Sequence, residues 1–323
     1  MGSRDGPQKT KDRALAFAAA RNEKFGHQTT AAMFSSFSPG NIGITVSLRE
    51  GLALAERHGF GGYDASLAEL HDEVVVHGPA SVRALFVQHG LRFGAWNLPF
   101  MPCRVGEDEW RGWLARLPAL LHSAQAVGAL RAGMWILPGS DDLAFDDNFA
   151  FHVRRFQPVA QLLAAHDIRL GLEFVGPATA RRSFRNPFVH TVAGITELAR
   201  AIGPNCGLLL DAWHWHCAGA ARAELSALTR EFLVHVHVND APRDVPRVEL
   251  VDHRRKLPGA TGVIDLDGFM QALAASGYDG PVTAEPFDPD INAMPAEEAV
   301  ARTARATRAA VARALRAPER GSG

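Results

Sequence analysis

The chain has 323 residues, and its 34 Lys and Arg residues against 35 Asp and Glu residues give a formal net charge of −1. This balance argues against a strongly basic nucleic-acid surface and against a polybasic membrane anchor, while 47% hydrophobic residues suffice for a folded core. No apolar run approaches the ~18 residues that a membrane-spanning helix needs. The three cysteines form no C-x-x-C motif, so we expect a reducing, cytoplasmic location.

Residues 1–31 are polar and rich in alanine, and we expect an arm that is partly helical or disordered. After this arm, β-rich runs alternate with helical stretches that end at a glycine or a short polar turn. Ser47 and Glu50 form a capping box that predicts the start of one helix. The last helix is predicted over residues 295–317, before a disordered tail at 318–323. The β-rich runs predict eight strands, at residues 33–37, 61–64, 91–96, 130–137, 168–175, 207–210, 232–238 and 282–284.

Alternating strands and helices imply parallel pairing with helical crossovers. The eight units extend from about residue 32 to about residue 290, close to the ~250 residues of a (β/α)8 barrel. We therefore predict an α/β fold, a single-domain (β/α)8 TIM barrel over residues 32–317 with N-terminal and C-terminal helical extensions. An open, doubly wound sheet is the alternative, but no glycine-rich phosphate-binding motif follows any predicted strand.

Each of the last four predicted strands ends on a side chain that can bind a metal. On the seventh strand, alternation of side chains places Val234, Val236 and Val238 on one face and His235 and His237 on the other. If the β-branched face is outward, the metal-binding side chains point into the barrel at the C-terminal strand ends, where barrel enzymes keep their sites. The four residues are Glu173, Asp211, His237 and Glu285.

Three ionised carboxylates around one point repel one another, and burial of an unpaired charge is expensive. A single acidic or histidine residue at a strand end is explained well enough by a salt bridge or a hydrogen bond. Four of them at four consecutive strand ends favour one divalent metal ion instead. Mn²⁺ is the expected ion, with Mg²⁺, Co²⁺ and Zn²⁺ as alternatives.

Other polar and aromatic residues near these strand ends receive separate predictions. His214 follows Asp211 by three residues, so it can reach the ligand space and contact substrate. His235 lies one layer deeper and is expected to be a hydrogen-bonded interior residue. Asp240 is a candidate to orient His237 or a bound hydroxyl through a hydrogen bond. For Trp96, Trp135, Trp213 and Trp215, a sugar-binding wall and plain core packing remain equally open.

At these residues the sequence resembles the xylose-isomerase-like TIM-barrel sugar isomerases and epimerases. The similarity extends over most of residues 32–290, and the matching segments occur in the order and with the spacing of that family. The segments are LGLEFVGP (170–177), LLLDAWHWH (208–216), HVHVNDAP (235–242), LPGATGVIDLDGF (257–269) and GYDGPVTAEPF (277–287).

In ketose 3-epimerases of this family, two Glu, one Asp and one His bind a divalent metal. The resemblance therefore implies the metal ligands Glu173, Asp211, His237 and Glu285. It also implies two substrate-binding residues, His214 three residues after the Asp and Arg243 six residues after the metal-binding His. Family members often carry a Glu in a PG-E-x-G turn, whereas Ala260 stands there in this chain, which puts any role of that acid in doubt.

The expected reaction moves a proton beside the carbonyl of an α-hydroxy-ketone or aldehyde through a cis-enediolate, with Glu173 and Glu285 as the catalytic base and acid. The expected partner is a small sugar or cyclitol rather than a nucleic acid or a membrane, and a homo-oligomer is left open. A metal-dependent dehydratase of the inosose or dehydroshikimate type is the alternative. An apurinic endonuclease and a non-catalytic sugar-binding barrel are weaker alternatives, the former because the charge is balanced.

Overall fold

The computed structural model describes residues 32–314, so the predicted arm at 1–31 and the predicted tail at 318–323 lie outside the described residues. One parallel sheet provides the framework of the described part, and a two-stranded antiparallel pair lies apart from it. The strands are β1 Phe34–Phe37, β2 Gly62–Tyr63, β3 Arg92–Phe93, β4 Trp96–Asn97, β5 Arg131–Trp135, β6 Gly139–Ser140, β7 Arg169–Glu173, β8 Asn186–Pro187, β9 Cys206–Asp211, β10 Leu233–Val238 and β11 Pro281–Ala284.

The parallel sheet closes on itself. Its strand order is β3-β2-β1-β11-β10-β9-β7-β5-β4, and its two end strands, β3 and β4, are consecutive in the chain. They are the halves of one predicted strand that is interrupted at Gly94 and Ala95, where the Ala95 N–H donates to Asp64 Oδ1 at 3.0 Å. A Cβ at Gly94 would lie 1.8 Å from the same oxygen, so only glycine fits at this break. The predicted (β/α)8 barrel is confirmed, and the open sheet is wrong.

Helices form the outer layer around this sheet. The predicted capping box at Ser47 and Glu50 is confirmed at the start of the first long helix. The final helix packs against β1 and β11, so it completes the outer ring of the barrel. No helix within residues 32–314 is both long enough and apolar enough to cross a membrane. The α-helices are Leu48–Arg57, Leu67–His77, Pro79–Gln88, Glu107–Val127, Phe145–Ala165, Ala178–Arg181, Val192–Ile202, Ala212–Ala218, Arg222–Leu225, Leu266–Ala275, Pro289–Asn292 and Ala296–Arg313, with 3₁₀ turns at Pro39–Ile42 and Arg247–Glu249.

Strand β10 departs from simple alternation at its start. Its register against β9 shifts between Leu233 and His235, because a bulge inserts Val234 as an extra residue. A Cβ at Gly171 would lie 3.0 Å from the Cβ of Val234, so Val234 fills space beside that glycine. The prediction that Val234 shares a face with Val236 and Val238 is therefore wrong, and the period of two applies from His235 onward.

Candidate metal centre

Glu173, Asp211, His237 and Glu285 converge at one end of the barrel. Glu173 ends β7, Asp211 ends β9, and His237 is level with Asp211 in the register of β10 against β9. Glu285 directly follows β11, and its N–H donates to Val238 O at 3.0 Å. Because the strands are parallel, all four side chains lie at C-terminal strand ends. One donor atom from each residue lies within 4.8 Å of every other, and each residue is at most 9% exposed.

His237 is at the centre of this cluster. Its Nδ1 lies 3.3 Å from Glu173 Oε1, 3.4 Å from Glu285 Oε2 and 3.8 Å from Asp211 Oδ2. Both His237 Nδ1 and Glu173 Oε1 are buried without a hydrogen-bond partner of acceptable geometry. Two donors that bind one divalent cation at ~2.0–2.3 Å lie at most about 4.6 Å apart, and all three distances from His237 Nδ1 are below this limit. The donor set and its orphaned atoms therefore fit one divalent metal ion.

The protonation equilibria of the cluster reflect its crowding. Burial raises the pKa of Glu173, and the negative charge of Glu285 adds to the shift, while His237 opposes it. Burial alone would lower the pKa of His237, but the carboxylates of Glu285 and Glu173 raise it well above its usual value. A positive charge at the centre, an imidazolium or a metal ion, is thus what the surrounding carboxylates favour.

The fully buried Asp211 is held by the helix that follows it and by Asn239. Its Oδ1 caps the helix Ala212–Ala218 by accepting the Trp213 N–H at 2.5 Å. The same oxygen accepts from Asn239 Nδ2 at 3.0 Å. Burial opposes ionisation of Asp211, yet neighbouring positive charge, above all that of Arg255, holds its pKa below the usual range. Asn239 was not predicted as a site residue, although it lies two residues after the metal-ligand candidate His237.

Arg255 is the principal site residue that the sequence analysis missed. It is only 1% exposed, and its Nη1 donates to Asp211 Oδ2 at 2.9 Å and to Glu285 Oε2 at 2.6 Å. Its Nη2 donates to Asp252 Oδ1 at 2.9 Å. Burial would lower the pKa of Arg255, but these three carboxylates raise it, so the guanidinium stays charged. The ring of Phe287, whose φ of 37° is a strained value, lies 4.7 Å from the guanidinium carbon.

Arg243, the arginine predicted from its spacing to His237, is not brought to the cluster. It is exposed, and its Nη2 donates to Thr261 O at 2.7 Å. The chain leaves the barrel after Asp240 and returns where Asp240 and Lys256 form an isolated antiparallel bridge. Arg255 is adjacent to that bridge, so the returning chain carries it over the strand ends. Arg255 lies in the charged run 252–256, which is typical of a surface segment. The only nearby sequence feature that indicates a return of the chain is the Pro258-Gly259 turn, three residues later.

His214 lies at the edge of the cluster as predicted from its spacing, and it is buried. Its Nδ1 faces the Gly176 N–H at 3.2 Å, and its Nε2 lies 3.4 Å from Arg255 Nη2. An Nδ1 that accepts from Gly176 leaves the ring proton on Nε2, the nitrogen beside Arg255. A Cβ at Gly176 would lie 2.1 Å from His214 O, so a larger residue there would displace the histidine.

The carboxylate of Asp240 forms its hydrogen bonds with a loop and none with His237. Its Oδ2 accepts the N–H groups of Thr261 and Gly262 at 2.9 and 2.8 Å. Its Oδ1 accepts the N–H groups of Ala241 and Ile264 at 2.8 and 3.0 Å. The prediction that Asp240 orients His237 is wrong, because four backbone donors already occupy both carboxylate oxygens.

We expect Asp240→Asn to lower the free energy of unfolding by about 3 kcal/mol or more, since the amide nitrogen faces buried N–H donors and leaves them unpaired. Urea unfolding measures this change. Asp244→Asn, an exposed change in the same loop, is the control and should stay within about 0.5 kcal/mol of the unmodified chain. Equal effects of the two changes would contradict the role given to Asp240.

His235 lies in a second polar layer below His237, as predicted. Its Nε2 lies 3.0 Å from Thr283 Oγ1, whereas its Nδ1 is buried without a partner. Asp64, which the sequence analysis missed, joins this layer by accepting from Thr283 Oγ1 at 2.6 Å and from Ser36 Oγ at 2.5 Å. Burial raises the pKa of Asp64 against these hydrogen bonds.

Three of the four tryptophans lie in the core, and one lies at the C-terminal mouth of the barrel. Trp96, Trp213 and Trp215 are at most 5% exposed and pack in the core. Trp135 is 39% exposed at the end of β5, where its register partner in β7 is Glu173. Trp135 is the most exposed of the four, whereas the buried Trp96 lines the cavity that has His237 in its wall.

Comparison with known proteins agrees with this architecture. The family model described as the xylose isomerase-like TIM barrel matches residues 52–310. The chain belongs to this family. A xylose isomerase domain protein from Alicyclobacillus acidocaldarius has 30% sequence identity and a TM-score of 0.77, covering 88% of this chain and 100% of that one. The structure of an IOLI protein with a bound zinc atom shares the fold, with 22% identity and a TM-score of 0.71 over 86% of this chain and 98% of that one.

Isomerases and dehydratases are both among the sequence relatives of this xylose isomerase-like barrel. An inosose isomerase from Bacillus velezensis is 24% identical over 267 residues, which cover 82% of this chain and 92% of that protein. A 3-dehydroshikimate dehydratase from Pseudomonas aeruginosa is 36% identical over 141 residues, which cover 42% of this chain but only 20% of that protein.

Proposed function

We propose that this chain is a divalent-metal-dependent isomerase or epimerase of an α-hydroxy-carbonyl sugar or cyclitol. The observation that carries the proposal is the convergence of three carboxylates and one imidazole within 4.8 Å at the C-terminal mouth of the barrel. The similarity to an inosose isomerase over most of both chains supports the substrate class. Mn²⁺ remains the predicted ion, and the donor set accommodates Zn²⁺, Mg²⁺ or Co²⁺ as well.

The bound cation would supply positive charge beside the substrate carbonyl and so stabilise an enediolate. Glu173 and Glu285 lie on two sides of His237, and each has a carboxylate oxygen within 3.4 Å of Nδ1. One of them takes the proton from the carbon beside the carbonyl, and the other returns a proton. Return to the opposite face of the same carbon gives epimerisation, and return to the neighbouring carbon gives isomerisation.

His214 and Arg255 have positioning and binding roles in this proposal. His214 would contact a substrate oxygen through Nε2, the ring nitrogen that lies 3.4 Å from Arg255 Nη2. Arg255 fixes the carboxylates of Asp211 and Glu285 and lies beside the His214 ring. We assign Arg255, and not Arg243, as the arginine of the site.

Deuterium incorporation tests the proposed reaction directly. The chain, supplied with Mn²⁺, is incubated in D₂O with a panel of ketoses, inososes and hydroxypyruvate, and the products are analysed by NMR. We expect deuterium on the carbon beside the carbonyl of at least one compound, together with an isomer or epimer. No incorporation into any compound would contradict the proposal.

A dehydratase is the second candidate, supported by the 36% identity to a 3-dehydroshikimate dehydratase over part of the chain. The same proton removal would then be followed by loss of a β-hydroxyl group as water. An unsaturated ketone absorbs in the ultraviolet, whereas an epimer does not. Ultraviolet absorbance that grows with time would therefore favour the lyase.

The endonuclease and the non-catalytic barrel stay weaker alternatives. The cytoplasmic location stays a prediction, and a homo-oligomer stays open. Absence of binding to an abasic duplex at low salt would dismiss the endonuclease. A metal site without solvent exchange at any substrate carbon would favour the non-catalytic barrel.

We expect saturating Mn²⁺ to stabilise the chain and EDTA to remove the effect. An ion at about 100 times its Kd adds ~2.7 kcal/mol, which corresponds to a rise of roughly 5 °C in Tm for a chain of this size. Thermal unfolding with and without Mn²⁺ measures the shift. His237→Gln should abolish most of it, whereas His77→Gln, an exposed change on the helix Leu67–His77, should leave it intact. An equal Mn²⁺ shift in both variants would contradict the assignment of His237 as a ligand.

A further inference from the structure

A cavity of about 450 Å³ opens beside the candidate metal centre and has His237 in its wall. It is bounded by the C-terminal ends of β1, β2 and β4 and by the first turn of the helix Leu67–His77. This volume is within the usual range for small-molecule sites. A substrate whose carbonyl lies at the metal centre would therefore extend its remaining atoms into this cavity.

Among the residues that the structure describes, no positive side chain lines this cavity apart from its histidines. No Lys or Arg of residues 32–314 lines it, whereas Asp64 and Glu69 do. The other polar side chains are hydroxyls and amides, among them Asn41, Ser66 and Asn97. Asn97 is exposed, so its amide is free to bind hydroxyl groups as donor and acceptor.

Arg255 does not offset this negative lining. Its guanidinium is 1% exposed, and it already pairs with Asp211, Glu285 and Asp252. The metal centre also contains the carboxylate of Glu173. The negative charges of these carboxylates therefore neutralise a bound dication, which leaves no excess positive charge for an anionic substrate group. The carboxyl group of Asp64 is either neutral or negative, so it cannot pair with an anionic substrate group. A phosphate or carboxylate in the cavity would thus lie among negative charges without a partner.

We infer that the substrate of this site is an uncharged polyhydroxylated carbonyl compound, a free sugar or cyclitol, and that phosphorylated and carboxylated analogues are rejected. This inference rests on the proposed function and narrows its substrate class. A negative charge ~6 Å from a carboxylate, at an effective dielectric constant near 20, corresponds to a loss of about 100-fold in binding. Hydroxyl groups, in contrast, find acceptors in the carboxylates and both kinds of partner in the amides.

Matched pairs of compounds test the inference. The Mn²⁺-loaded chain is given D-fructose or its 6-phosphate, and a neutral inosose or dehydroshikimate, in D₂O. We expect exchange with a neutral member and a kcat/KM for its charged counterpart that is lower by about 100-fold or more. Preference for a charged member would overturn the inference while leaving the proposed function intact. If no compound exchanges, the proposed function fails, and thermal shifts given by the neutral members alone would still support the inference.

A pair of lysine substitutions tests whether the charge of the cavity causes this selection. Ser66→Lys introduces a cation at the rim, where Ser66 makes no side-chain capping bond. Ala227→Lys introduces the same charge in a cavity next to Cys206 and Phe232, at the opposite end of the barrel. We expect Ser66→Lys to narrow the ratio of kcat/KM between neutral and phosphorylated ketose by about tenfold, and Ala227→Lys to leave it within about twofold. Equal ratios in the two variants would overturn the inference.

Discussion

Glu285→Gln is expected to lower the turnover of the Mn²⁺-loaded chain by about 10³-fold while preserving the fold. Glutamine has the same shape, and its amide oxygen still accepts from Arg255, which donates to Glu285 at 2.6 Å. It cannot take or return a proton, so the acid–base step loses one of its two carboxylates. The rate of deuterium incorporation beside the carbonyl measures the loss, and circular dichroism checks the fold.

Two further variants complete this experiment. Glu298→Gln removes an exposed glutamate that pairs with Arg302 on the helix Ala296–Arg313, and we expect its turnover to stay within about twofold. Glu173→Gln removes the second proposed proton carrier and should cause a loss comparable to that of Glu285→Gln. Near-normal turnover of the Glu285 variant would rule out its role in proton transfer, whatever the behaviour of the Glu173 variant.

The metal-ligand cluster was predictable because it depends on local patterns. In parallel strands, the last inward-facing residue of each strand reaches the same end of the barrel. Glu173 and Asp211 are such terminal residues, and His237 follows the alternation that begins at His235. The strand count was predictable for the same reason. The break at Gly94 and Ala95 was not, because it depends on the carboxylate of Asp64, 31 residues before Ala95.

The surroundings of the cluster depend on contacts between distant segments, which no local pattern encodes. Asp64 meets Thr283 across 219 residues of sequence. Asp240 pairs with the loop that contains Thr261 and Gly262, and not with the adjacent His237. A prediction from the spacing to His237 fails here, because the chain leaves the barrel after Asp240. The bridge between Asp240 and Lys256 determines which residue returns to the strand ends.

Arg255→Met is expected to destabilise the chain by about 3–5 kcal/mol and to lower turnover by more than 100-fold. Methionine has a similar length, but it leaves the buried carboxylates of Asp211 and Glu285 without their cation. Urea unfolding in EDTA measures the stability, and the deuterium assay measures turnover. Mn²⁺ should restore more stability to this variant than to the unmodified chain, because the dication then balances carboxylates that Arg255 no longer neutralises.

Arg243→Met is the matched control, and it decides between the two arginines of this loop. Its side chain is exposed and donates only to Thr261 O among the residues described, so its removal should change stability by less than about 0.5 kcal/mol and turnover by less than about threefold. A large loss of turnover in Arg243→Met, with little effect of Arg255→Met, would return the substrate-binding role to Arg243. The two variants make the same chemical change on one loop. A difference between them in stability or turnover is therefore caused by the burial of Arg255 beside the carboxylates, and not by the loss of an arginine in general.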